Sequence, residues 1–407
     1  MSQTKIKMIA PRDEKHSHVF EIFLTFLRLG LTSFGGPIAH LGYFRQEFVA
    51  RKKWLSEHAY VDIVALCQFL PGPASSQVGI AIGLSRGGVF GAFLAWLGFT
   101  LPSAMAMILF AYSLPLFGSQ LGNHWLHGLK LVAVAVVAQA LWAMGKNLSP
   151  DKLRATLTVC AAALVAFIPN PLAPIGVIVA GGCFGWACLP APPITTKGFI
   201  PTQTNRITGF ILLSLFFILL FFLPVFALDS GNYAVQLFDS FYRTGSLVFG
   251  GGHVVLPLLQ SQVVPRGWVS NDTFLAGYGA AQALPGPLFT FAAYLGAVSN
   301  QVPTGWVGGV IALVAISLPS FFLVIGIMPF WERLRHYNGM QKAMMGINSA
   351  VVGLLLAAFY NPVWTSAILN AVDFCLAAVA FISLVFWRVP PWLVVILAGV
   401  LTGLGIV

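Results

Sequence analysis

Two short elements in this chain of 407 residues have the composition of an anion-binding break: Gln68-Phe69-Leu70-Pro71-Gly72-Pro73 and Gln282-Ala283-Leu284-Pro285-Gly286-Pro287. A proline inside a helix removes a backbone donor and collides with the preceding turn, at a cost of about 3 kcal/mol, so two prolines around a glycine break any helix that carries them. A new helix can start at Pro73 or Pro287, because proline suits the first helical position. The N–H groups at such a start are unpaired and carry roughly half a positive charge, which favours an anion. Ser75, Ser76 and Gln77 add donors at the first opening, and Thr290 is the nearest equivalent at the second. A packing kink is the competing reading, and the presence of two copies favours the functional one.

Arg28 and Arg243 form a second matched feature, each set in an apolar run ahead of a glycine pair, Gly35-Gly36 and Gly250-Gly251. Placing arginine at the centre of a membrane helix costs about 2.5 to 3.5 kcal/mol on insertion scales, so such residues usually face a polar cavity. The planar, permanently charged guanidinium suits an oxyanion, and snorkelling to an interface is the alternative. Asp62, Asp239, His40 and His253 are the candidates for proton coupling. None has a titratable counterpart in the other half of the chain, and interfacial or structural roles compete for each. The sequence has no HExxH, Walker A or Gly-x-Ser-x-Gly motif and no aspartate cluster for Mg²⁺. The expectation is therefore no enzyme, no catalytic residue, no metal and no cofactor.

The elements that position these residues must be membrane helices. Basic residues number 22 and acidic ones 12, so charged residues are 8% of the chain against 58% hydrophobic, and mean hydropathy is +0.85. So few charges cannot build a water-soluble surface, and the net charge of +10 is spread too thinly for a nucleic-acid binder. The five cysteines (Cys67, Cys160, Cys183, Cys188, Cys375) lack the spacing of a metal site or disulfide framework and read as core packing. Residues 1–18 are polar and basic with no apolar core, unlike a cleaved signal peptide.

A span needs about 20 apolar residues, and thirteen candidate segments meet this: 20–42, 60–83, 88–115, 126–146, 153–169, 171–190, 207–228, 233–258, 273–298, 306–330, 340–360, 364–387 and 391–407. The chain also repeats itself. Phe26, Arg28, Gly30, Phe34, Gly35, Gly36 and Leu41 match Phe241, Arg243, Gly245, Phe249, Gly250, Gly251 and Leu256 at an offset of 215. Trp54, Ser56 and the Gln68–Pro73 element match Trp268, Ser270 and Gln282–Pro287 at 214, and Leu101-Pro102-Ser103 recurs as Leu318-Pro319-Ser320. Segment 207–228 has no counterpart. The expected fold is an all-α polytopic membrane protein of about 13 transmembrane segments in two inverted homologous repeats (6+1+6) with broken or re-entrant helices. The domains are then a cytoplasmic tail 1–19, a first repeat 20–190, a linker with the extra helix 191–232, and a second repeat 233–407.

With the N-terminus inside, 15 basic residues fall on the cytoplasmic side and five outside: Arg45, Arg51, Lys52, Lys53 and Lys130. The clustering of four of those five in one loop is anomalous. Re-entrant hairpins at 20–42 and 60–83, turning at Gly35–Pro37 and Pro71–Pro73, would return that loop to the cytoplasm without changing the parity downstream.

At Phe34-Gly35-Gly36-Pro37-Ile38-Ala39-His40, Gln68–Pro73, Phe249-Gly250-Gly251-Gly252-His253 and Gln282–Pro287, the sequence resembles the chromate ion transporter family, over nearly the whole chain and in the layout of its long, two-domain members. The resemblance implies a multi-pass secondary transporter of the bacterial inner membrane that exports chromate and confers resistance to it. The expected partners are the lipid bilayer and chromate or sulfate, with no nucleic acid and a homodimer as one possible assembly, and the charge balance predicts a periplasmic C-terminus. Carried over by motif as substrate-binding are Arg28, Gly35, Gly36, Gln68, Gly72, Pro73, Arg243, Gly250, Gly251, Gln282, Gly286 and Pro287, with Ser75 and Ser76 added from the reading of the helix start. The resemblance also leads to an acidic residue soon after the second glycine pair, where Gln260, Ser261 and Gln262 are neutral. A transporter of sulfate or another oxyanion, an anion channel and a lipid-phosphate enzyme are the alternatives.

Overall fold

The computed structural model describes residues 12–120, 124–168, 170, 172–191 and 204–404, with side chains from residue 19 onward except 115–120. Among the described residues every regular element is helical. Five stretches are long and apolar enough to cross a membrane: Ala74–Leu114, His124–Leu148, Arg206–Ser230, Gly305–Leu334 and Asn338–Ala367. The chain-end tail and much of the linker of the expected domain division lie outside the described residues.

The first half opens with two helical hairpins. Helix α1 (Arg12–Thr32) ends at a reversal through Gly35 and Gly36, whose φ values of 97° and 76° favour glycine, and α2 (Gly36–Arg45) returns from it with Pro37 in its first turn. A π-helical turn, Gln46–Arg51, carries α2 back to the start of α1, where Lys52 Nζ meets Glu21 Oε1 at 2.5 Å. Phe26 of α1 packs against Phe44 and Phe48 of the returning limb, with ring centroids 5.7 and 4.9 Å apart. Helix α3 (Glu57–Phe69) is started by Ser56, whose Oγ accepts the Ala59 N–H. It breaks at Leu70–Pro73, and α4 (Ala74–Gln120) begins immediately after.

Helix α4 is two limbs. At Gly87 and Gly88 the dihedrals leave the helical region (φ 63° at Gly88), and Gly83 and Gly91 face each other so closely that a Cβ on either would strike the other's carbonyl. The first limb therefore returns to the base of α3, where Arg86 lies 5.2 Å from the centre of the Trp54 ring. The second limb continues from the kink to Gln120. Helices α5 (His124–Leu148), α6 (Lys152–Phe167) and α7 (Ala173–Cys188) complete this half.

Helix α8 (Arg206–Ser230) packs on the outside and exposes Phe210, Phe217, Phe221, Phe222 and Phe226, a surface suited to hydrocarbon and not to water. The second half repeats the pattern. Helix α9 (Tyr233–Leu247) ends at Gly250 and Gly251, and α10 (Val255–Val263) returns so that Tyr233 packs on Trp268 and its hydroxyl meets Ser299 Oγ at 2.5 Å. Helix α11 (Asn271–Ala281), capped by Ser270, breaks at Gln282–Pro287. A single 3-10 turn, Leu288–Thr290, then leads into α12 (Phe291–Val298). The long α13 (Gly305–Ile327) runs antiparallel to the second limb of α4, with Tyr112 beside Trp306 at one end and Trp96 beside Phe321 further along. The remaining elements are α14 (Trp331–Leu334), α15 (Asn338–Ala358), α16 (Thr365–Ala367), α17 (Ala371–Val385) and α18 (Pro391–Gly403).

Segments 20–42, 60–83, 233–258 and 273–298 are pairs of shorter helices, broken at the glycine and proline elements as the sequence leads one to expect, and one expectation changes. Of the cysteines only Cys67 is in the core; Cys160, Cys183, Cys188 and Cys375 face outward, where a thiol is apolar enough to sit against hydrocarbon.

Candidate functional site

The four chain breaks meet at the centre of the molecule, each half's break docking on the other's. The Gly72 N–H donates to the Val248 carbonyl at 2.7 Å, and the Gly286 N–H donates to the Ser33 carbonyl at 2.9 Å. These are equivalent bonds: Ser33 and Val248 precede the paired glycines at the offset of 215, and Gly72 and Gly286 are related by 214. Breaking a helix deep in an apolar bundle strands backbone donors and acceptors, and here each half supplies the partner the other lacks. The Leu-Pro-Ser repeat belongs to the same junction. A Cβ on Gly72 would come within 2.9 Å of Ser320 Oγ, and one on Gly286 within 2.9 Å of Ser103 Oγ. Gly252 packs against Pro37, so the two glycine-rich turns also touch.

A cavity of about 660 Å³ opens beside this junction. It is lined by Gly35, Gly36 and Pro37 from the first glycine turn, by His253, Gln282 and Gly286 from the second half, by Gln139 of α5, by Arg388 from the turn between α17 and α18 and by Trp392 at the start of α18. Among the described residues no aspartate or glutamate lines it. Pro73 and Ser76 face Pro287, Ser317 and Ser320 across a separate gap too tight to admit water. Thr100 Oγ1, Ser320 Oγ and Gln282 Nε2, which line these spaces, are among the buried polar side-chain atoms that make no hydrogen bond within the protein, as are Ser33 Oγ and Gln77 Oε1 close by.

Of the residues expected from sequence, Gly35, Gly36, Gly72, Pro73, Ser76, Gln282, Gly286 and Pro287 come together at the junction and its two spaces. Gly250 and Gly251 form the second glycine turn, with Gly250 against Leu148 and Asn348. Ser75 Oγ lies 3.4 Å from His40 Nδ1, and His40 Nε2 lies 3.1 Å from the Ser33 carbonyl, one layer behind the turn. His253 Nδ1 meets the Tyr278 hydroxyl at 2.8 Å. Gln68 is exposed and away from both spaces. The clean helix start expected at Pro287 is instead the 3-10 turn, stitched by Thr290 Oγ1 donating to the Pro287 carbonyl, while Gln77 Nε2 donates to the Pro71 carbonyl in the first half.

Neither arginine lines the cavity. Arg28 reaches Glu47 Oε2 at 2.6 Å across the first hairpin, and Arg243 reaches Asp239 Oδ2 at 2.6 Å. Asp62 is likewise paired, at 2.9 Å with buried Arg335, which ties α3 of the first half to the end of the second half's long helix. Sequence reasoning missed Ser33, Thr100, Asn348 and Arg388. The first two sit beside repeated motifs and could have been found there; Asn348 and Arg388 carry no local signal.

A helical, lipid-facing bundle with four broken hairpins meeting at a carboxylate-free central cavity defines a multi-pass membrane transporter. The sequence pattern of one such family, the chromate transporters, matches residues 20–186 and 235–404, and the chain belongs to that family. It is 27% identical over 350 residues to a chromate transport protein of Pseudomonas aeruginosa, covering 82% of this chain and 79% of that one. It is also 27% identical over 347 residues to an uncharacterised transporter of Methanocaldococcus jannaschii (83% and 82% covered), and 24% identical over 348 residues to a chromate transport protein of Cupriavidus metallidurans (83% and 81%). These relatives are named as transporters, not as enzymes. No solved structure matches.

Proposed function

We propose that this protein exports chromate, or a tetrahedral dianion of the same shape such as sulfate, across the bacterial inner membrane and so confers resistance. The observation that carries the reading is the cavity at the junction of the four breaks, where the glycine turns, Gln139, Gln282, His253 and Arg388 are set among apolar side chains and no described carboxylate enters the lining. A site of this kind has hydrogen-bond donors for an oxyanion and nothing to repel it. Relatives named for chromate transport supply the substrate.

The two halves act as inverted repeats, with hairpins α1–α2 and α3–α4 entering from one face and α9–α10 and α11–α12 from the other. Supporting this, Lys52 lies beside Glu21 and Arg86 beside Trp54 at one end of the long α4 limb, while Tyr233, Trp268 and Ser299 cluster near its other end, where Tyr112 meets Trp306. On this arrangement the loop around Arg45, Arg51, Lys52 and Lys53 joins the face that also holds Lys146, Lys152, Arg154, Arg333 and Arg335. Lys130 and Arg266 stand at the other face. The positive-inside rule then makes the first face cytoplasmic, with the chain starting inside.

Each charge crossing a potential of about 100 mV is worth about 2.3 kcal/mol, so an uncompensated dianion is driven out of a negative interior by about 4.6 kcal/mol. The halves rock about the central junction to expose the cavity alternately. Arg28 and Arg243 act one layer out, holding the hairpins that present the glycine turns. The test is uptake of radiolabelled chromate into inverted membrane vesicles, with and without excess sulfate and with the potential collapsed. Potential-dependent accumulation that sulfate competes away is the expected result. No accumulation in vesicles that contain the protein overturns the assignment of substrate.

A further inference from the structure

Arg388 stands apart from the other arginines described so far. Among the described residues Arg28, Arg45, Arg51, Arg154, Arg243 and Arg335 each pair with a carboxylate, and of the arginines that make no such pair only Arg388 lines the central cavity. Among the described residues it is the cavity's one basic side chain other than His253, in a lining with no described acid. Its backbone is in the left-handed region, φ 54°, an uncommon place for a residue with a side chain and one that accumulates at functional sites. That conformation is held from both sides. The Trp387 N–H donates to the Ile382 carbonyl at 3.3 Å and the Val389 N–H to the Ser383 carbonyl at 2.9 Å, after which Pro390 and Pro391 stiffen the chain. The turn is also joined to the junction, because Trp392 packs on Phe34 beside the first glycine turn.

We infer that Arg388 is the cation that captures the dianion at the mouth of the cavity and sets the preference for two negative charges over one. The inference deepens the proposed function and rests on it. Glycine turns and amide side chains read shape but carry no net charge, so they do not distinguish a dianion from a monoanion of similar size. A permanently charged, forked donor on a fixed turn supplies that discrimination, and an unpaired one is free to do so. The cavity is asymmetric in this respect: the first half contributes no described basic side chain to its lining.

The experiment combines binding and flux. Wild type, Arg388→Gln and Arg388→Lys are reconstituted in lipid nanodiscs and titrated calorimetrically with chromate, sulfate and perchlorate, and the same proteins are assayed for chromate flux in vesicles. Arg388→Gln is expected to bind chromate and sulfate at least tenfold more weakly while losing less than threefold for perchlorate. Its flux should recover at saturating chromate, which separates lost capture from lost turnover. Arg388→Lys should stay within threefold of wild type, which also guards against misfolding as the explanation. Equal chromate affinity in wild type and Arg388→Gln overturns the inference and leaves the transport reading intact. Binding without flux in wild type removes the transport reading, and the affinities still decide the role of Arg388. A wild type that binds neither dianion overturns both.

Discussion

The two halves hold equivalent arginines in different ways. Arg28 reaches from α1 to Glu47 in the π-helical turn after α2, and Glu47 also lies 3.3 Å from Arg51, so an ion-pair cluster ties the two limbs of the first hairpin. Arg243 takes its carboxylate from its own helix, Asp239 one turn earlier, and only touches the returning limb through Gln262 at 3.5 Å. Gln262 is the counterpart of Glu47, and Leu24 the counterpart of Asp239, at the offset of 215. The repeat has kept the cation and moved the acid. This accounts for the neutral Gln260-Ser261-Gln262 stretch, where the family resemblance led to an acid: the charge that balances Arg243 sits on α9 instead. Burial differs too, with the Arg28 side chain 46% exposed and that of Arg243 16%. The second half can least tolerate an unbalanced charge.

The strongest way to break the comparison is to remove what the halves share. Gly72 and Gly286 have φ values of 123° and 95°, and a Cβ at Gly72 would collide with the Gln77 side chain as well as Ser320. Gly72→Val and Gly286→Val each combine left-handed strain with a clash at the junction, costs of about 1 to 3 kcal/mol apiece. Both variants are expected to lose chromate flux entirely and to show reduced monodispersity and thermal stability in detergent. Flux surviving in either variant would mean that the cross-docked breaks are not needed for transport.

Charge relocation is the next largest effect and sharpens the contrast. Asp239→Asn leaves Arg243 buried with only an amide for company, the situation in which breaking a buried pair costs about 3 to 5 kcal/mol. Glu47→Gln strands a half-exposed arginine and should cost less, about 1 to 2 kcal/mol after solvent screening. Adding Gln262→Glu to Asp239→Asn rebuilds the first half's arrangement in the second, and should restore most of the lost thermal stability. No rescue would mean that Arg243 cannot swing to the returning limb and that the arginines are equivalent in sequence only.

The broken helices were legible in the sequence because Pro-Gly-Pro and Gly-Gly-Pro have local consequences. Direction was not. Residues 20–42 are mostly apolar despite Glu21, Arg28 and His40, and hydropathy measures the length of such a run without recording that it reverses at Gly35. The loop of basic residues at 45–53 was the one sequence signal of that reversal, since it made sense only if the chain came back. Pairing across the molecule was hidden for a related reason. Nothing near Gly72 announces Val248 as its acceptor, and nothing near Arg388 distinguishes it from an ordinary charge in a loop. The arginines misled because intramembrane charge signals a polar partner without saying whether the partner is substrate or protein. Here Glu47 and Asp239 fill that place.

The smallest effect examines a point where the halves are alike. Ser56 and Ser270 are repeat-related, and each starts the first limb of a broken hairpin by accepting an N–H three residues on, from Ala59 and Thr273, both at 3.2 Å. Replacing such a cap by alanine costs about 1 kcal/mol. Ser56→Ala and Ser270→Ala should therefore lower thermal stability by similar small amounts and leave the affinity for chromate unchanged, because the caps lie at the bases of the hairpins and not at the junction. Ser270 has one further bond, to Thr273 Oγ1 at 2.8 Å, so any inequality should fall on the second half. A larger loss at Ser56 would reverse that order and show that the two hairpins carry load differently, with the ion-paired first half depending more on its loop than the geometry implies.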